Sequence, residues 1–326
     1  MTRRMTFGAI VRLATTLPLV FCVLTAGRAG ADNDSSRSTR SITVGGAQRT
    51  YLLHALPPQD RTGLAPLVIV LHGGGGTAER MVRLTNGGLS RLAEREGFIV
   101  AYPNGIDKHW NDGRGADETG WRAQGENVDD VGFVSALIEE LVKTQNADPR
   151  RVYVTGVSNG GQMAHRLACE ISGKIAAIAP VIAQMPAYFS PRCKPARPVS
   201  VLMMPGTKDP LVPWEGGTIR LGRRTFGRVL SAAETVAFWT RRNACPAPPE
   251  TSWEPDRDPS DGTRVRKEAY RGCGNGAEVV LYAIEGGGHT WPGGRQYLPE
   301  SIVGKVSRDI DAAGVMWEFF KKHRRD

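Results

Sequence analysis

Apolar residues along the chain alternate between two spacings. The run at 66–71, PLVIVL, is continuously apolar, which is typical of a strand buried on both faces of a parallel sheet. Helical spacing of apolar residues predicts a helical stretch that follows this strand and ends near residue 96. It also predicts helices at 131–143, 162–171, 232–241 and 307–322. Further strands are expected at 98–102, 151–155, 175–181, 199–204 and 277–284. Strands that alternate with helices indicate an α/β fold with a mainly parallel sheet covered on both faces.

Two regions fall outside this alternation. Residues 41–44 and 48–55 predict an antiparallel pair of strands that turns at two glycines. Residues 246–261 are rich in proline and acidic residues, and they lie between Cys245 and Cys273. We therefore expect them to form a surface excursion that a disulfide closes.

The first residues have the pattern of a secretory signal. Residues 1–31 contain four arginines and no acid, an apolar run at 13–26 that is too short to span a bilayer, and a small-residue ending at 29–31. We expect cleavage after this ending and export to the periplasm or the cell exterior, with an uncleaved membrane anchor as the alternative. The prediction is a signal peptide at 1–31, a flexible leader at 32–40 and one domain at 41–326.

Cleavage leaves 295 residues, which is enough for one large domain with a substantial core. The loss of four arginines lowers the formal net charge from +9 to +5, and part of this charge lies in the basic tail at 321–325. The sequence lacks a basic stripe with interleaved aromatic residues, so nucleic-acid binding is not expected. Stable membrane insertion after cleavage is not expected either. A second basic cluster is interpreted as a solvated loop, with an anion site as the alternative. Its members are Arg220, Arg223, Arg224 and Arg228.

Four cysteines remain after cleavage, and an even number in an exported protein predicts disulfides. Four cysteines allow three connectivities. Proximity in the sequence favours the pairs Cys169–Cys193 and Cys245–Cys273. No pair has the spacing of a zinc site, so no metal is expected.

A serine lies between two glycines where a predicted strand passes into a helix. Gly156, Ser158 and Gly160 occupy this joint. Gly and Ser are ordinary turn residues, so the motif alone is a weak signal. In one strand-turn-helix design, however, the turn exposes the serine oxygen at the carboxyl edge of a parallel sheet, and an acid and then a histidine follow along the chain.

That order selects partners for Ser158, whose hydroxyl is a weak nucleophile without a base. Of the six histidines, only His289 and His323 follow the serine by more than one helix, and His323 lies in the basic tail. His289 follows a predicted strand in a glycine-rich loop and is the predicted base. Asp209 also follows a strand and is the predicted acid, which would hold the tautomer of His289. The alternatives are the acids of the surface excursion: Asp256, Asp258 and Asp261.

Acyl transfer also needs donors for the developing oxyanion. The backbone N–H of Asn159, the residue after the serine, is one candidate. The glycine run at 73–76 supplies the other, with Gly74 as first choice and Gly75 as second. This run lacks the Gly-Lys-Ser/Thr ending of a phosphate-binding loop and the spacing of a dinucleotide-binding loop.

Three segments together resemble one known family. LHGGGGTA at 71–78, GVSNGG at 156–161 and GGHTWPG at 287–293 are similar to the secreted esterase/polyhydroxybutyrate depolymerase family. That family includes feruloyl and acetyl-xylan esterases of the first carbohydrate-esterase family. The resemblance extends from about residue 41 to 320 and includes WNDG at 110–113.

The resemblance implies an α/β-hydrolase catalytic domain, carboxylic-ester substrates and no cofactor. It also implies that Ser158, Asp209 and His289 form a triad, and that Gly74 and Asn159 donate to the oxyanion. Many members have cysteine where this chain has Gly74, a difference that keeps the backbone donor but removes a packing contact.

The sequence therefore predicts a secreted serine esterase that forms an acyl-enzyme. The expected substrates are feruloyl or acetyl esters of plant polysaccharide, or soluble hydroxybutyrate esters. Trp291, Trp214 and Trp110 are predicted to contact the substrate, since aromatic rings stack on sugars and on aromatic acyl groups. The alternatives are a serine peptidase or acyltransferase, and a non-catalytic secreted protein that binds carbohydrate.

Overall fold

A ten-stranded sheet is the centre of the fold in the part of the chain that the structure describes. The structure is a computed structural model, and it describes residues 37–56 and 62–326. In chain order its strands are β1 (Arg37–Val44), β2 (Ala47–His54), β3 (Ala65–Leu71), β4 (Ile99–Pro103), β5 (Ala147–Val157), β6 (Ala177–Val181), β7 (Ser200–Met203), β8 (Gly217–Leu221), β9 (Arg224–Val229), β10 (Glu250–Trp253), β11 (Arg264–Tyr270) and β12 (Val279–Glu285). Strands β8 and β9 form a separate hairpin, and the others follow the order β1-β2-β4-β3-β5-β6-β7-β12-β11-β10.

The middle of the sheet is parallel from β4 to β12. Antiparallel strands flank this parallel part, with β2 and β1 at one end and β11 and β10 at the other. The α/β class with a mainly parallel sheet is thus confirmed. Because parallel strands end at the same edge of a sheet, the loops after β3, β5, β7 and β12 emerge side by side.

The strand β3 shows why its sequence is apolar throughout. Leu67, Ile69 and Leu71 face a cluster that contains residues of the helices on one side of the sheet, and Val68 and Val70 face a cluster on the other side. All of these residues are buried. A strand that contacts a core on both faces has no polar face, so it lacks the alternation of a half-exposed strand.

Helices cover both faces of the sheet. In chain order they are α1 (Ala78–Leu84), α2 (Gly88–Glu96), α3 (Ala116–Thr119), α4 (Arg122–Gly125), α5 (Asp130–Gln145), α6 (Asn159–Glu170), α7 (Ala232–Arg242), α8 (Glu300–Val303) and α9 (Ala312–Phe320). Apolar residues of α5, α6 and α7 pack on one face, and those of α1, α2 and α9 pack on the other. Within residues 37–56 and 62–326, no helix combines the length and the hydropathy needed to cross a bilayer.

Two helix predictions differ from the structure at their ends. The helical stretch that ends near residue 96 is two helices, because Asn86 and Gly87 adopt positive φ angles between α1 and α2. The last helix begins at Ala312 and not at Ser307, since the Asp311 side chain accepts hydrogen bonds from the N–H groups of α9's first turn. A capping aspartate fixes a helix start more strongly than apolar periodicity does.

The N-terminal predictions fall partly outside the described residues. The signal peptide at 1–31 lies outside them. The predicted leader at 32–40 is wrong at its C-terminal end. Residues 37–40 belong to β1 and pair with β2, beginning with Arg37 opposite His54. These residues are mostly exposed, so no burial pattern marks them as a strand.

The region from 246 to 261 is not only a surface excursion. Its residues 250–253 form β10, which pairs with β11 at the end of the main sheet. Every residue of β10 is exposed, which explains why apolar spacing missed it. Both predicted disulfides, Cys169–Cys193 and Cys245–Cys273, are present.

Candidate active site

The serine between two glycines lies on a strained turn. Ser158 separates β5 from α6 and has φ +52° and ψ −120°, a conformation that is unusual for any residue except glycine. A Cβ atom on Gly156 would lie 2.8 Å from the Leu71 carbonyl oxygen, and one on Gly160 would lie 2.5 Å from it. Both glycines are therefore required, because the turn packs directly against the end of β3.

The backbone of the turn holds Ser158 in place while its side chain faces a cleft. The Ser158 N–H donates to the Val181 carbonyl at 3.0 Å, and the Ser158 carbonyl accepts from the Gln162 N–H at 2.8 Å. The residue is half-buried and lines the cleft together with His289. In the described part of the chain, no hydrogen bond joins the serine hydroxyl to another group, which leaves the oxygen open to a ligand.

An imidazole and a carboxylate form a buried pair, and the imidazole lines the same cleft. His289 Nδ1 lies 2.7 Å from Asp209 Oδ2, and the two residues are 4 % and 8 % exposed. Asp209 Oδ1 also accepts from the N–H groups of Leu211, at 2.8 Å, and Val212, at 2.9 Å. A carboxylate held this way accepts the Nδ1 proton, so the other ring nitrogen of His289 is free to take a proton.

The glycines before His289 permit a close approach of two backbones. A Cβ atom on Gly288 would lie 2.1 Å from the Val303 carbonyl oxygen. The His289 N–H donates to that same carbonyl at 2.5 Å, and the Gly288 N–H donates to the Lys305 carbonyl at 2.9 Å. These contacts with the end of α8 and the residues after it fix the loop that carries the imidazole.

In the glycine run after β3, two backbone amides have acceptors and Gly74 is not one of them. The Gly75 N–H donates to the Lys108 carbonyl and the Gly76 N–H to the Gly73 carbonyl, both at 2.9 Å. Within the described residues, the Gly74 N–H has no acceptor. The Asn159 N–H lies in the first turn of α6, where a helix offers no partner of its own. These two free amides distinguish Gly74 from Gly75 as a possible donor.

The side chain of Asn159 is fixed by the WNDG segment. Its Oδ1 accepts from the Trp110 N–H at 2.8 Å, and its Nδ2 donates to the Trp110 carbonyl at 3.0 Å and to Asp112 Oδ2 at 2.5 Å. The Trp110 ring is fully buried, and its Nε1 donates to the His72 carbonyl at 2.9 Å. Trp110 therefore supports the turn from below, and the prediction that it contacts substrate is wrong.

A buried ion pair extends this support to the β8–β9 hairpin. Asp112 and Arg114 are 0 % and 2 % exposed, and Arg114 Nε donates to Asp112 Oδ2 at 2.8 Å. Arg114 Nη1 donates to the Phe226 carbonyl at 2.7 Å, and its guanidinium lies 4.8 Å from the centre of the Trp121 ring. No sequence pattern predicted this pair, although an acid and a base two residues apart in a polar loop are its only visible trace.

The other predicted aromatic contacts also differ from the structure. Trp291 is 1 % exposed and belongs to the core cluster that contains residues of α9. Trp214 is half-buried and packs against the other core cluster. Neither lines the cleft. The aromatic residues that do line it are Trp121, Phe226 and Tyr297.

The cleft itself has a volume of about 1040 Å³. Its floor contains Ser158, His289 and the glycine run, and one rim carries apolar residues that are unusually exposed. Four of them are between 42 % and 51 % exposed: Leu221, Tyr297, Leu298 and Ile302. Exposed apolar side chains around a concave site are typical of surfaces that bind an apolar ligand.

The histidine before the glycine run, His72, has a structural role. Burial lowers the pKa of His72 to about 4. Its Nε2 accepts from the Gly105 N–H at 3.0 Å, so Nδ1 carries the proton and donates to the Gly73 carbonyl at 2.8 Å. A neutral His72 thus connects the glycine run to the loop after β4.

Comparisons with known proteins identify relatives of the chain. Residues 50–183 match the family described as Esterase PHB depolymerase. The chain is 34 % identical over 304 residues to "Putative esterase NocK" of Nocardia uniformis subsp. tsuyamanensis, covering 88 % of this chain and 83 % of that protein. It is 29 % identical over 240 residues to "Feruloyl esterase B" of Piromyces equi, covering 71 % of this chain but only 41 % of that relative.

Solved structures show the same fold. A crystal structure of a thermostable esterase superposes with a TM-score of 0.52 at 15 % identity, covering 90 % of this chain and 64 % of that one. The acetyl xylan esterase from Aspergillus awamori superposes with a TM-score of 0.51 at 16 % identity, covering 78 % of this chain and 94 % of that one. Both likenesses support an α/β-hydrolase architecture.

Proposed function

Because the chain belongs to the esterase/polyhydroxybutyrate depolymerase family of carboxylic ester hydrolases, we propose that it is a secreted serine esterase with Ser158 as nucleophile, His289 as base and Asp209 as the partner of that base. One observation carries the proposal. A serine on a strained turn and a histidine held at 2.7 Å by a buried carboxylate face the same cleft.

Acylation begins when the Ser158 oxygen attacks the ester carbonyl. The hydroxyl proton passes to the free ring nitrogen of His289, and the carbonyl oxygen becomes an oxyanion. Collapse of this tetrahedral intermediate breaks the bond to the alcohol oxygen, which leaves with the proton from His289. The acyl group remains on Ser158 as an ester.

Deacylation repeats these steps with water. His289 removes a proton from a water molecule as the water oxygen attacks the acyl carbonyl, and it then returns that proton to the Ser158 oxygen. The acid product leaves and the serine hydroxyl is restored. Throughout, Asp209 holds the Nδ1–H tautomer and stabilises the imidazolium, and the hydrogen bonds from Leu211 and Val212 keep the carboxylate aimed at the ring.

The oxyanion accepts hydrogen bonds from the free N–H groups of Gly74 and Asn159. Fixed donors that point at developing charge contribute roughly 3–4 kcal/mol each to transition-state stabilisation. Asn159 is held by three hydrogen bonds through its side chain, so its backbone N–H does not need to reorient during the reaction. The two residues after Gly74 hold the loop, because the Gly75 and Gly76 amides are already bonded to backbone carbonyls.

The substrate is a carboxylic ester with an apolar part. We propose feruloyl or acetyl esters of plant polysaccharide, or hydroxybutyrate esters, since relatives carry the names feruloyl esterase and acetylxylan esterase and the matched family includes depolymerases. Trp121 and Phe226, whose ring centres are 5.3 Å apart, offer an aromatic wall for the acyl group or a sugar. The signal-like sequence at 1–31 and the two disulfides support export.

The experiment compares purified protein on methyl ferulate, acetylated xylan and a soluble 3-hydroxybutyrate oligomer, with Ser158→Ala as the control. Turnover of at least one ester by the native protein alone is expected, and the fastest substrate identifies the class. An active Ser158→Ala protein would contradict the mechanism. Sugar binding without any hydrolysis would favour the carbohydrate-binding alternative, and faster cleavage of amides or transfer to alcohols would favour a peptidase or acyltransferase.

A further inference from the structure

The cleft is rimmed by positive charge. In the described part of the chain, five exposed arginines line it in addition to the buried Arg114. The exposed residues are Arg80, Arg83, Arg220, Arg224 and Arg295. The whole chain has 42 basic and 33 acidic residues, yet no aspartate or glutamate is among the described residues that line the cleft. The excess of basic over acidic residues is therefore proportionally larger in the cleft lining than in the chain as a whole.

These arginines have no acidic partners within the described residues. Of the five, only Arg80 makes a side-chain hydrogen bond there, to the carbonyl oxygen of Gly75 at 3.2 Å. The carboxylate of Asp209, beneath His289, is occupied by that imidazole and by two backbone amides. The guanidinium groups at the rim are thus available to an anion from solution.

The arginines form two groups on separate elements. Arg80 and Arg83 are three residues apart on α1 and so lie on one face of that helix, and the Arg295 N–H donates to the Leu84 carbonyl at the end of the same helix. Arg220 in β8 and Arg224 in β9 belong to the hairpin that also carries Phe226. The sequence interpretation of the Arg220 cluster as a solvated loop is therefore incomplete, because two of its members line the cleft.

Like charges around one concave site repel each other, and an anion relieves that repulsion. A cleft lined by charge of one sign also concentrates oppositely charged ligands, and guanidinium groups bind carboxylates with matched geometry. The exposed apolar residues that line the same cleft would contact the uncharged part of such a ligand. A neutral ester would leave the guanidinium groups without a charged partner.

We propose that the enzyme prefers esters that carry a free carboxylate near the ester being cleaved. This inference rests on the serine esterase function proposed above and narrows its substrate class. Two sources supply the same chemistry: the free acid end of a short hydroxyacid oligomer, and a uronic acid residue in an esterified sugar. The arginines bind the carboxylate, while Ser158 attacks the neighbouring ester.

The test uses two pairs of matched substrates. One pair is the linear dimer of 3-hydroxybutyrate and the same dimer with its terminal carboxylate replaced by a primary amide. The other is an acetylated methyl glucuronoside and its amide. We expect kcat/KM to be about tenfold higher for the carboxylate of at least one pair at low salt, and the ratio to fall toward one in 0.5 M salt, where the Debye length is only about 4 Å. The pair with the higher ratio identifies the source.

Variants locate the binding group. Arg220→Gln with Arg224→Gln tests the hairpin, and Arg80→Gln with Arg83→Gln tests α1. The matched control is Arg223→Gln with Arg228→Gln, which removes two arginines from the same hairpin that do not line the cleft. One lining variant is expected to lower the carboxylate-to-amide ratio at least threefold through KM, with the amide substrate unaffected and the control unchanged.

Three outcomes overturn the proposal. They are a ratio near one at low salt, a ratio that does not respond to salt, and an equal loss in the control variant. None of them affects the proposed serine mechanism, because hydrolysis of the esters that carry an amide in place of the carboxylate, and its absence in Ser158→Ala, report on that mechanism separately. Failure of the proposed serine mechanism would instead appear as hydrolysis that persists in Ser158→Ala.

Discussion

The floor and the rim of the cleft are built on different principles. On the floor, glycines are required by contacts of 2.5–2.8 Å, the pair of His289 and Asp209 is almost completely buried, and most polar groups have fixed partners. On the rim, apolar side chains and arginines are exposed, and the arginines have no acidic partners in the described residues. Chemistry on the floor tolerates little displacement, whereas recognition at the rim depends on charge and area.

Replacement of the base should have the largest effect. His289→Ala removes the group that accepts the Ser158 proton, and we expect kcat on a neutral ester to fall by about 10⁴–10⁶-fold. KM should change little, because the imidazole contributes little to ground-state binding. His109→Ala, which removes another histidine that lines the cleft, is the control and should retain kcat within about tenfold. Equal losses in the two variants would contradict the role of His289.

Replacement of the acid should have the next largest effect. Asp209→Asn keeps the size of the side chain but no longer fixes the Nδ1–H tautomer of His289, so we expect kcat to fall by about 10³–10⁴-fold. Asp256→Asn is the control, since this alternative acid is exposed and lies within 3.6 Å of Arg264. A large loss in Asp256→Asn with a normal Asp209→Asn enzyme would reverse the assignment.

The buried histidines should make stability depend on pH. Burial lowers the pKa of His72 and His165 to about 4, whereas an unfolded histidine titrates near 6.5. As the pH falls from about 6.5 to 4, the unfolded chain therefore binds protons that the folded protein excludes. The free energy of unfolding should decrease over this range, by up to about 3 kcal/mol for each residue.

Urea unfolding with the disulfides intact measures this dependence at pH 7, 5.5 and 4.5. In His165→Gln the decrease over the same range should be smaller than in the native protein, whatever the loss of stability at pH 7. A steeper or unchanged dependence in the variant would contradict the account. The exposed rim should contribute nothing, so the variants of Arg220 and Arg224 should follow the native curve.

Removal of the side-chain hydrogen bonds of Asn159 should have an intermediate effect on activity. Asn159→Ala keeps the backbone N–H but removes its hydrogen bonds to Trp110 and Asp112, and we expect kcat to fall about 10–100-fold with KM nearly constant. Asn159→Asp should be worse than Ala, because it places a second carboxylate beside the buried Asp112. If both variants keep native kcat and lose only thermal stability, the side chain is structural alone.

Addition of a side chain at Gly74 should have the smallest effect on activity. A Cβ atom there would lie 3.2 Å from the Trp121 ring and 3.4 Å from His109, so the stacked rings must move by a few tenths of an ångström. Gly74→Ala and Gly74→Cys keep the N–H donor, and we expect changes of less than about fivefold, mainly in KM for aromatic acyl groups. A loss of kcat above 100-fold would contradict this expectation, because it would mean that the substitution disturbs the loop that carries the Gly74 N–H donor.

The same comparison explains which features the sequence could predict. The turn at Ser158, the loop at His289 and the glycine run are marked by glycines, because close backbone contacts leave no room for other residues. The parallel strands are marked by their continuous apolar runs. These features made the fold and the pairing of His289 with Asp209 predictable from the sequence.

The rim could not be predicted in the same way. Proximity to His289 suggested Trp291 as a substrate contact, but the direction of a side chain depends on the path of the loop, and this ring is buried beside α9. The β8–β9 hairpin is short and polar, and its arginines have no pattern that separates a cleft wall from a solvated loop. The support by Asp112 and Arg114 joins residues from distant parts of the chain, which spacing alone does not reveal.

The central claim is that Ser158 becomes acylated. Reaction with a fluorophosphonate, followed by digestion and mass spectrometry, tests it most directly because the phosphonyl group stays on the nucleophile. We expect one adduct, on the peptide that contains Ser158, no adduct in Ser158→Ala, and slower labelling in Asp209→Asn. An adduct on any other residue, or labelling and ester hydrolysis that persist in Ser158→Ala, would contradict the account.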